Sequence, residues 1–172
     1  SHFALFGAPF SCAPFGSGHI NGTHLVVCDS GRRYVLQHIN TSVFREPEKL
    51  MRNIELVTAH LRKKVDDTRG VLRLVPTFAG QSFAVENGEF WRVYELVEGS
   101  VCYQSADATL FYASAVACGR FQNQLSDFPA DALAETIPQF HDTPARYLAF
   151  HRAVEQNAAN RRDAVSREID FV

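Results

Sequence analysis

The stretch FGSGHINGTHLVVCDSGRRYVLQHIN, residues 15–40, decides the fold. It begins with a glycine-rich turn at residues 15–21 and continues into a β-branched, apolar run at residues 23–29. A second turn at Ser30-Gly31 returns the chain along residues 33–39, which predicts a β-hairpin. Glycines leave backbone N–H groups uncovered, so a turn of this kind between two strands suits the approach of phosphate oxygens. An ordinary hairpin turn explains the glycines equally well at this point.

The residues that follow predict a sheet with one helix packed on it. Apolar residues at helical spacing begin after Pro47, which suits a first helical turn, and end at Lys63-Lys64. Further strands are predicted at residues 72–78, 82–86 and 90–96. Asn87-Gly88 is a strong signal for a tight hairpin between the last two. We therefore predict an α+β protein whose residues 1–99 form a five-stranded antiparallel sheet plus one helix.

The second part, residues 100–172, is predicted to be helical. Ser105 is expected to cap a helix that reaches about Leu125, and Thr143-Pro144 is a good N-cap followed by a first-turn proline. A short helix is predicted after Pro129, and a last helical segment runs from about residue 161 to the end. We expect these helices to expose apolar surface and the chain to self-associate.

Composition and charge exclude several classes of protein. The 172 residues are 46% hydrophobic and 21% charged, typical of a globular protein, and the formal net charge of -2 argues against nucleic-acid or anionic-membrane partners. Apolar runs are too short for a membrane span, and we see no signal peptide, so we expect a cytoplasmic location. The cysteines are scattered and no zinc-ligand spacing occurs, so we expect free buried thiols and no metal site. They are Cys12, Cys28, Cys102 and Cys118.

The order of the predicted elements favours the phosphate-binding explanation of the glycine turn. A kinase needs a polar or positive side chain from its third strand at the phosphates, positioned by a carboxylate on the next helix. Gln37 lies in the third strand, and the helix carries Glu48 and Glu55. The strand that ends near Glu95 is then in the right place for a hinge, where backbone groups of Glu95 and Val97 would pair with an adenine.

Several motifs in order resemble one family. The segments FGSGHINGTHLV, YVLQHINTSVFREPEKLMRNI and TIPQFHDT, with the hinge between the last two, resemble the N-acetylhexosamine 1-kinase group. That group lies in the aminoglycoside phosphotransferase and choline kinase superfamily. The resemblance covers essentially the whole chain. It implies a protein-kinase-like nucleotide-binding lobe (residues 1–99), followed by the first helices of a helical substrate lobe (residues 100–172).

The resemblance also implies a reaction and a nucleotide site. The γ-phosphoryl group of ATP, with Mg²⁺, would pass to the anomeric hydroxyl of an N-acetylhexosamine. The predicted phosphate-binding residues are Gly16, Ser17, Gly18 and His19 in the turn, with Gln37 beneath them. Glu55 or Glu48 would be the helix partner of Gln37, and Glu95 and Val97 are placed at the adenine.

Two departures from the family pattern limit these expectations. Gln37 occupies the position of the third-strand lysine common in the superfamily, so it brings hydrogen-bonding capacity without charge. No Asp of the chain has an Asn five residues later, so the H-x-D-x-x-x-x-N catalytic loop is absent from these 172 residues. We therefore expect the catalytic aspartate to lie downstream, the chain to be an N-terminal fragment, and the fragment to be inactive on its own.

Alternatives remain open from the sequence. In a second hypothesis the chain belongs to a kinase whose acceptor is choline, homoserine or an aminoglycoside. In a third it is a non-catalytic nucleotide-binding or interaction module. His141 and Asp142 are candidates for lining the sugar site, although a helix cap at Thr143-Pro144 explains them more simply. His19 suits a solvent-facing loop as well as the phosphates.

Overall fold

The computed structural model of the chain describes residues 2–67, 69–101, 103 and 105–172. The chain forms two compact units, Ser1–Thr136 and Ile137–Val172. The first unit contains the antiparallel sheet and its helix, which confirms the predicted α+β class. The predicted lobe boundary at residue 99 stays a prediction.

The sheet has six strands in the described residues, where five were predicted. They are β1 (Pro9–Pro14), β2 (Gly22–Cys28), β3 (Arg33–His38), β4 (Leu74–Val75), β5 (Ala84–Glu86) and β6 (Glu89–Glu95). Their order is β1-β2-β3-β6-β4, all neighbours are antiparallel, and β5 also pairs with β6. The strand for which no range was predicted is β1, whereas β4 and β5 were both predicted and share one edge of β6, pairing with its second and first halves.

Local sequence explains where several strands end. The predicted strand at residues 72–78 shortens to Leu74–Val75 because Pro76 follows and has no N–H to donate to the ladder. Asn87 and Gly88 have φ values of 52° and 82° and join β5 to β6. Positive φ at both central residues is what a type I′ turn requires, so the predicted hairpin is confirmed.

The helices follow their predicted order with two corrections. They are α1 (Pro47–Leu61), α2 (Ala108–Gln124), α3 (Thr143–Gln156) and α4 (Ser166–Phe171), with short 3₁₀ turns at Ala130–Ala132 and Arg162–Val165. The cap of α2 is Asp107 rather than Ser105, because the Asp107 carboxylate accepts from the Leu110 N–H at 2.8 Å. The cap of α3 is Asp142 rather than Thr143, since Asp142 Oδ1 accepts from the Ala145 N–H at 2.9 Å.

The core lies on both faces of the sheet. On one face Val26, Tyr34 and Val93 cluster with Phe3 of the N-terminal segment. The residues of opposite parity face the other way, and there Met51 of α1 is almost fully buried. The hydrophobic residues below 9% exposure all lie between residues 3 and 93, so the sheet and α1 contain the core of the described chain.

The cysteines differ from the prediction in their exposure. Cys28 is buried, and burial together with the nearby Asp29 charge raises the pKa of its thiol. Cys12 and Cys118 are free but exposed, because β1 exposes all six of its residues and α2 buries none. Cys102 lies outside the described residues. No helix in the described part of the chain is both long and apolar enough to cross a membrane.

Candidate functional site

The glycine turn connects β1 to β2 at one edge of the sheet. Its predicted site residues Gly16, Ser17, Gly18 and His19 are all exposed. Gly16 has a φ of 77°, a conformation that favours glycine. A Cβ placed on Gly16 or Gly18 would meet nothing within 4 Å, so the space beside this backbone is open. The turn therefore leaves room for a ligand to approach its N–H groups.

Two asparagines hold the end of this turn against β3. The Asn40 N–H donates to Asn21 Oδ1 at 3.0 Å, and Asn40 Nδ2 donates to the Ile20 carbonyl at 3.1 Å. The other end is held by the Phe15 N–H, which donates to the Thr23 carbonyl at 2.9 Å. The open part of the turn is thus fixed at both ends.

A polar row crosses the sheet from the foot of the turn. Thr23 on β2 pairs with Gln37 on β3, and Gln37 pairs with Arg92 on β6. The Arg92 guanidinium donates from Nε and Nη2 to Gln37 Oε1 at 3.0 and 2.7 Å. Gln37 Nε2 donates to Thr23 Oγ1 at 3.0 Å, and that hydroxyl donates to the Asn21 carbonyl at 3.3 Å. A continuous hydrogen-bond chain therefore joins β6 to the glycine turn.

Arg92 brings a positive charge to this row. Its side chain is partly buried, and desolvation lowers the pKa of the guanidinium from its usual value, while the nearby Tyr94 hydroxyl offsets part of that effect. Burial in turn raises the pKa of Tyr94. An arginine remains protonated at neutral pH under such shifts. The row that contains neutral Gln37 is therefore cationic overall.

The predicted hinge residues lie at the end of β6. Glu95 and Val97 line a pocket of about 310 Å³ together with Arg32, Arg69 and Arg73. The Glu95 N–H donates to the Arg73 carbonyl at 2.9 Å, whereas the Val97 N–H has no partner among the described residues. This pocket contains neither the glycine turn nor Gln37. From Arg92 to Glu95 the strand advances about 10 Å, at roughly 3.4 Å per residue.

The structure does not bring the predicted helix carboxylates to Gln37. Glu48 and Glu55 are exposed on α1, and neither forms an ion pair within the described residues. The α1 side chain that approaches the row is Met51, whose Sδ lies 4.0 Å from Arg92 Nη1. Met51 lies three residues from Glu48 and four from Glu55, so the two carboxylates flank the contact instead of making it.

The two candidate sugar-site residues belong to the second compact unit. Asp142 caps α3 in place of the predicted Thr143, and the cap accounts for its carboxylate. His141 is exposed and packs edge-on against Phe140, with ring centroids 4.7 Å apart. A role for either residue at an acceptor stays a prediction.

Sequence reasoning missed Thr23 and Arg92. Arg92 stands between Trp91 and Val93, so strand alternation alone placed it on the face opposite its apolar neighbours. Its contact with Gln37 depends on the register of β3 against β6, which no local pattern shows. The apolar cavity of about 370 Å³ lined by Phe3, Leu36, Trp91 and others lies on the opposite face and contains no predicted site residue.

Two solved structures share this fold. An aminoglycoside phosphotransferase from Alicyclobacillus acidocaldarius subsp. acidocaldarius DSM 446 matches 96% of the chain with a TM-score of 0.61 and 16% sequence identity. The fold is that of the aminoglycoside phosphotransferases. The amicoumacin kinase hAmiN, solved in complex with AMP-PNP, Ca²⁺ and Ami, matches 94% of the chain with a TM-score of 0.56 and 14% identity. No protein-family model matches the chain.

The chain spans about half the length of these structures, 48% of each. In the described residues no group of three or more His, Cys, Asp or Glu side chains is arranged to hold a metal ion. We therefore assign none of the described residues to Mg²⁺.

Proposed function

We propose that this chain is the ATP-binding part of a small-molecule kinase that phosphorylates the anomeric hydroxyl of an N-acetylhexosamine. The observation that carries the proposal is the open glycine turn, anchored at both ends and connected by hydrogen bonds to a cationic row on β3 and β6. Backbone N–H groups and a nearby cation are the elements that bind polyphosphate.

The location of the turn within the fold supports a nucleotide as the ligand. The chain shares its fold with two phosphotransferases, one of which has been solved with a nucleotide analogue and a divalent cation. Gly16, Ser17, Gly18 and His19 would lie at the phosphates, and Gln37 beneath them. The free Val97 N–H at the end of β6 would donate to the adenine, with the Glu95 backbone beside it.

ATP titration of the 172-residue chain tests the nucleotide proposal. We expect wild type to bind ATP, and Gly18→Val to weaken binding by about tenfold or more because the side chain obstructs the phosphates. Gly18 suits this test because its φ lies outside the left-handed region and a Cβ has open space. Gly119→Ala, in α2, is the control and should leave the affinity unchanged. Equal ATP affinity of Gly18→Val and wild type would contradict the site.

The acceptor rests on the resemblance of motifs, above all TIPQFHDT, residues 136–143. We expect the protein that joins this chain to an H-x-D-x-x-x-x-N loop to phosphorylate N-acetylglucosamine or N-acetylgalactosamine. The 172 residues alone should have no such activity, since positioning of metal and acceptor dominates phosphoryl transfer. ADP release measured with both sugars, choline, homoserine and an aminoglycoside identifies the acceptor. ATP-dependent sugar phosphorylation by the chain alone would refute the prediction that activity requires the H-x-D-x-x-x-x-N loop.

The names of the structural neighbours favour a second candidate acceptor. One is an aminoglycoside phosphotransferase and the other an amicoumacin kinase, so a hydroxyl of an aminoglycoside or of a compound like amicoumacin is the alternative acceptor within the same reaction class. Faster phosphorylation of an aminoglycoside than of either N-acetylhexosamine would favour this alternative acceptor.

We also propose that the chain self-associates through its helical part. Phe111 and Tyr112 of α2 are each 72% exposed, and large apolar side chains of α3 and α4, such as Leu148 and Phe171, are exposed as well. Sedimentation velocity over a range of concentrations should show a shift to larger species, and Phe111→Glu should reduce it. A monomer at all concentrations would contradict this proposal.

A further inference from the structure

Arg92 is a partly buried cation without a counter-charge. No carboxylate of the described residues lies within ion-pair distance of its guanidinium. It donates to the neutral Gln37 amide, the Met51 sulfur lies 4.0 Å from Nη1, and the Tyr94 hydroxyl is nearby. Taking a charge out of water is costly unless the charge is paired, so such a group is stabilised by an anionic ligand.

The guanidinium also has hydrogen-bonding capacity left over. Arginine carries five N–H donors in a planar fork, and the bonds to Gln37 use one from Nε and one from Nη2. The donors that remain suit the oxygens of a phosphate group, which arginine binds in bidentate geometry.

Arg92 also fixes the orientation of Gln37. Both donated bonds end on Oε1, so the amide presents its Nε2 toward Thr23 and the glycine turn. One N–H of Nε2 is used by Thr23, and the second is left as a donor. The row thus combines one charge and one oriented amide at the foot of the turn.

We propose that Arg92 supplies the positive charge that binds the nucleotide polyphosphate, with Gln37 as its hydrogen-bonded partner. The inference rests on the proposed function, because it names the cation of the same site. It assigns to the strand before the hinge the charge that Gln37 on the third strand does not provide.

The test compares ATP with adenosine on the 172-residue chain. We expect Arg92→Gln to weaken ATP binding by about tenfold to a hundredfold, the range for hydrogen bonds to charged groups, and to leave adenosine affinity unchanged. Arg92→Lys should retain part of the preference for ATP over adenosine. Added salt should weaken ATP binding by wild type more than ATP binding by Arg92→Gln. Arg52→Gln, an exposed arginine on α1, is the matched charge control and should bind ATP like wild type.

A second variant keeps the test independent of folding. Gln37→Glu is nearly isosteric and gives Arg92 an ion-pair partner, so the fold should persist while the row loses its net charge. We expect it to lose ATP affinity at least as strongly as Arg92→Gln, with adenosine again unaffected. Thermal melting of each variant reports folding.

The outcomes separate the two proposals. If wild type binds neither ATP nor adenosine, the nucleotide function itself fails and this inference fails with it. If wild type prefers ATP over adenosine and folded Arg92→Gln and Gln37→Glu keep that preference, the nucleotide function stands and the role of Arg92 is refuted. If both variants lose ATP and adenosine equally, Arg92 only supports the structure and the inference is again overturned.

Discussion

The sheet region and the helical region of this chain differ in where they place their apolar side chains. The sheet and α1 bury Ile39, Met51 and Cys28 almost completely, while α2, α3 and α4 contain no buried residue. Both regions are rich in apolar residues, so composition does not separate them. The sheet region is stabilised by its own core, whereas the helices present apolar surface that their own packing does not cover.

The same contrast applies to polar groups. The sheet region contains a continuous hydrogen-bond chain from Arg92 to the glycine turn, built by three strands. In the helical part, Asp107 and Asp142 instead form local hydrogen bonds at helix N-termini. The candidate site therefore lies in the sheet region, and four predictions test how far the contrast extends.

The largest expected effect is the loss of a core side chain. Ile39 is fully buried, so Ile39→Ala should lower the free energy of unfolding by about 2–5 kcal/mol. Leu148 of α3 is 56% exposed, and Leu148→Ala should change the free energy of unfolding by no more than about 0.5 kcal/mol. Urea unfolding monitored by circular dichroism measures both. Equal losses would show that the helices contain a core of their own and would break the comparison.

A smaller effect is expected where a polar contact joins α1 to the segment beyond α2. The Asn53 amide donates to the Ala134 carbonyl at 2.7 Å and accepts from the Ala134 N–H at 3.0 Å. Asn53→Ala leaves both backbone groups without this partner and should cost about 1–3 kcal/mol. Arg52→Ala, next to it but exposed, is the control. Hydrogen exchange at Ala134 should rise in the Asn53 variant, and unchanged protection would contradict the contact.

The cap of α2 gives an effect of about 1 kcal/mol. Asp107→Ala removes the acceptor of the Leu110 N–H and should destabilise the chain by that amount. Ser105→Ala should have almost no effect, although the sequence favoured it as the cap. Thermal unfolding of the two variants decides between them, and a larger loss for Ser105→Ala would place the helix start two residues earlier.

The smallest expected effect is the pH dependence of one exposed carboxylate. A hydrogen bond from Lys64 lowers the pKa of Asp127 below its usual value of 3.8. His60, whose Nε2 lies 3.0 Å from Asp127 Oδ1, acts in the same direction. A depressed folded pKa stabilises the fold above 3.8, and this stabilisation is lost as the pH falls below that value. The difference in unfolding free energy between wild type and Asp127→Asn should therefore be present at pH 7 and shrink below pH 3.8.

Lys64→Gln should reproduce part of that difference, since it removes the main cause of the lowered pKa. Urea unfolding at pH 7, 5 and 3 measures both variants. A difference that stays constant down to pH 3 would contradict the assigned interaction.

Much of the fold follows from local patterns in the sequence. Asn87-Gly88 predicts its hairpin because only a few residue pairs adopt positive φ twice in succession. Pro47 predicts the start of α1 because its fixed φ and missing N–H are tolerated there. The glycine turn before β2 is predicted for a similar reason, since Gly16 adopts a positive φ that favours glycine. Each of these depends on residues that are neighbours in the chain.

The tertiary structure decided what depends on distant partners. Pairing with β2 produced the strand β1, for which the sequence predicted no range, and β4 and β5 share one edge of β6, which no local pattern of either short strand shows. The register of β3 against β6 placed Arg92 beside Gln37, 55 residues apart. A shift of that register by one residue would turn Arg92 to the other face of the sheet. The sequence by itself determined the glycine turn and the neutral Gln37, and only the packing of strands brought a cation to them.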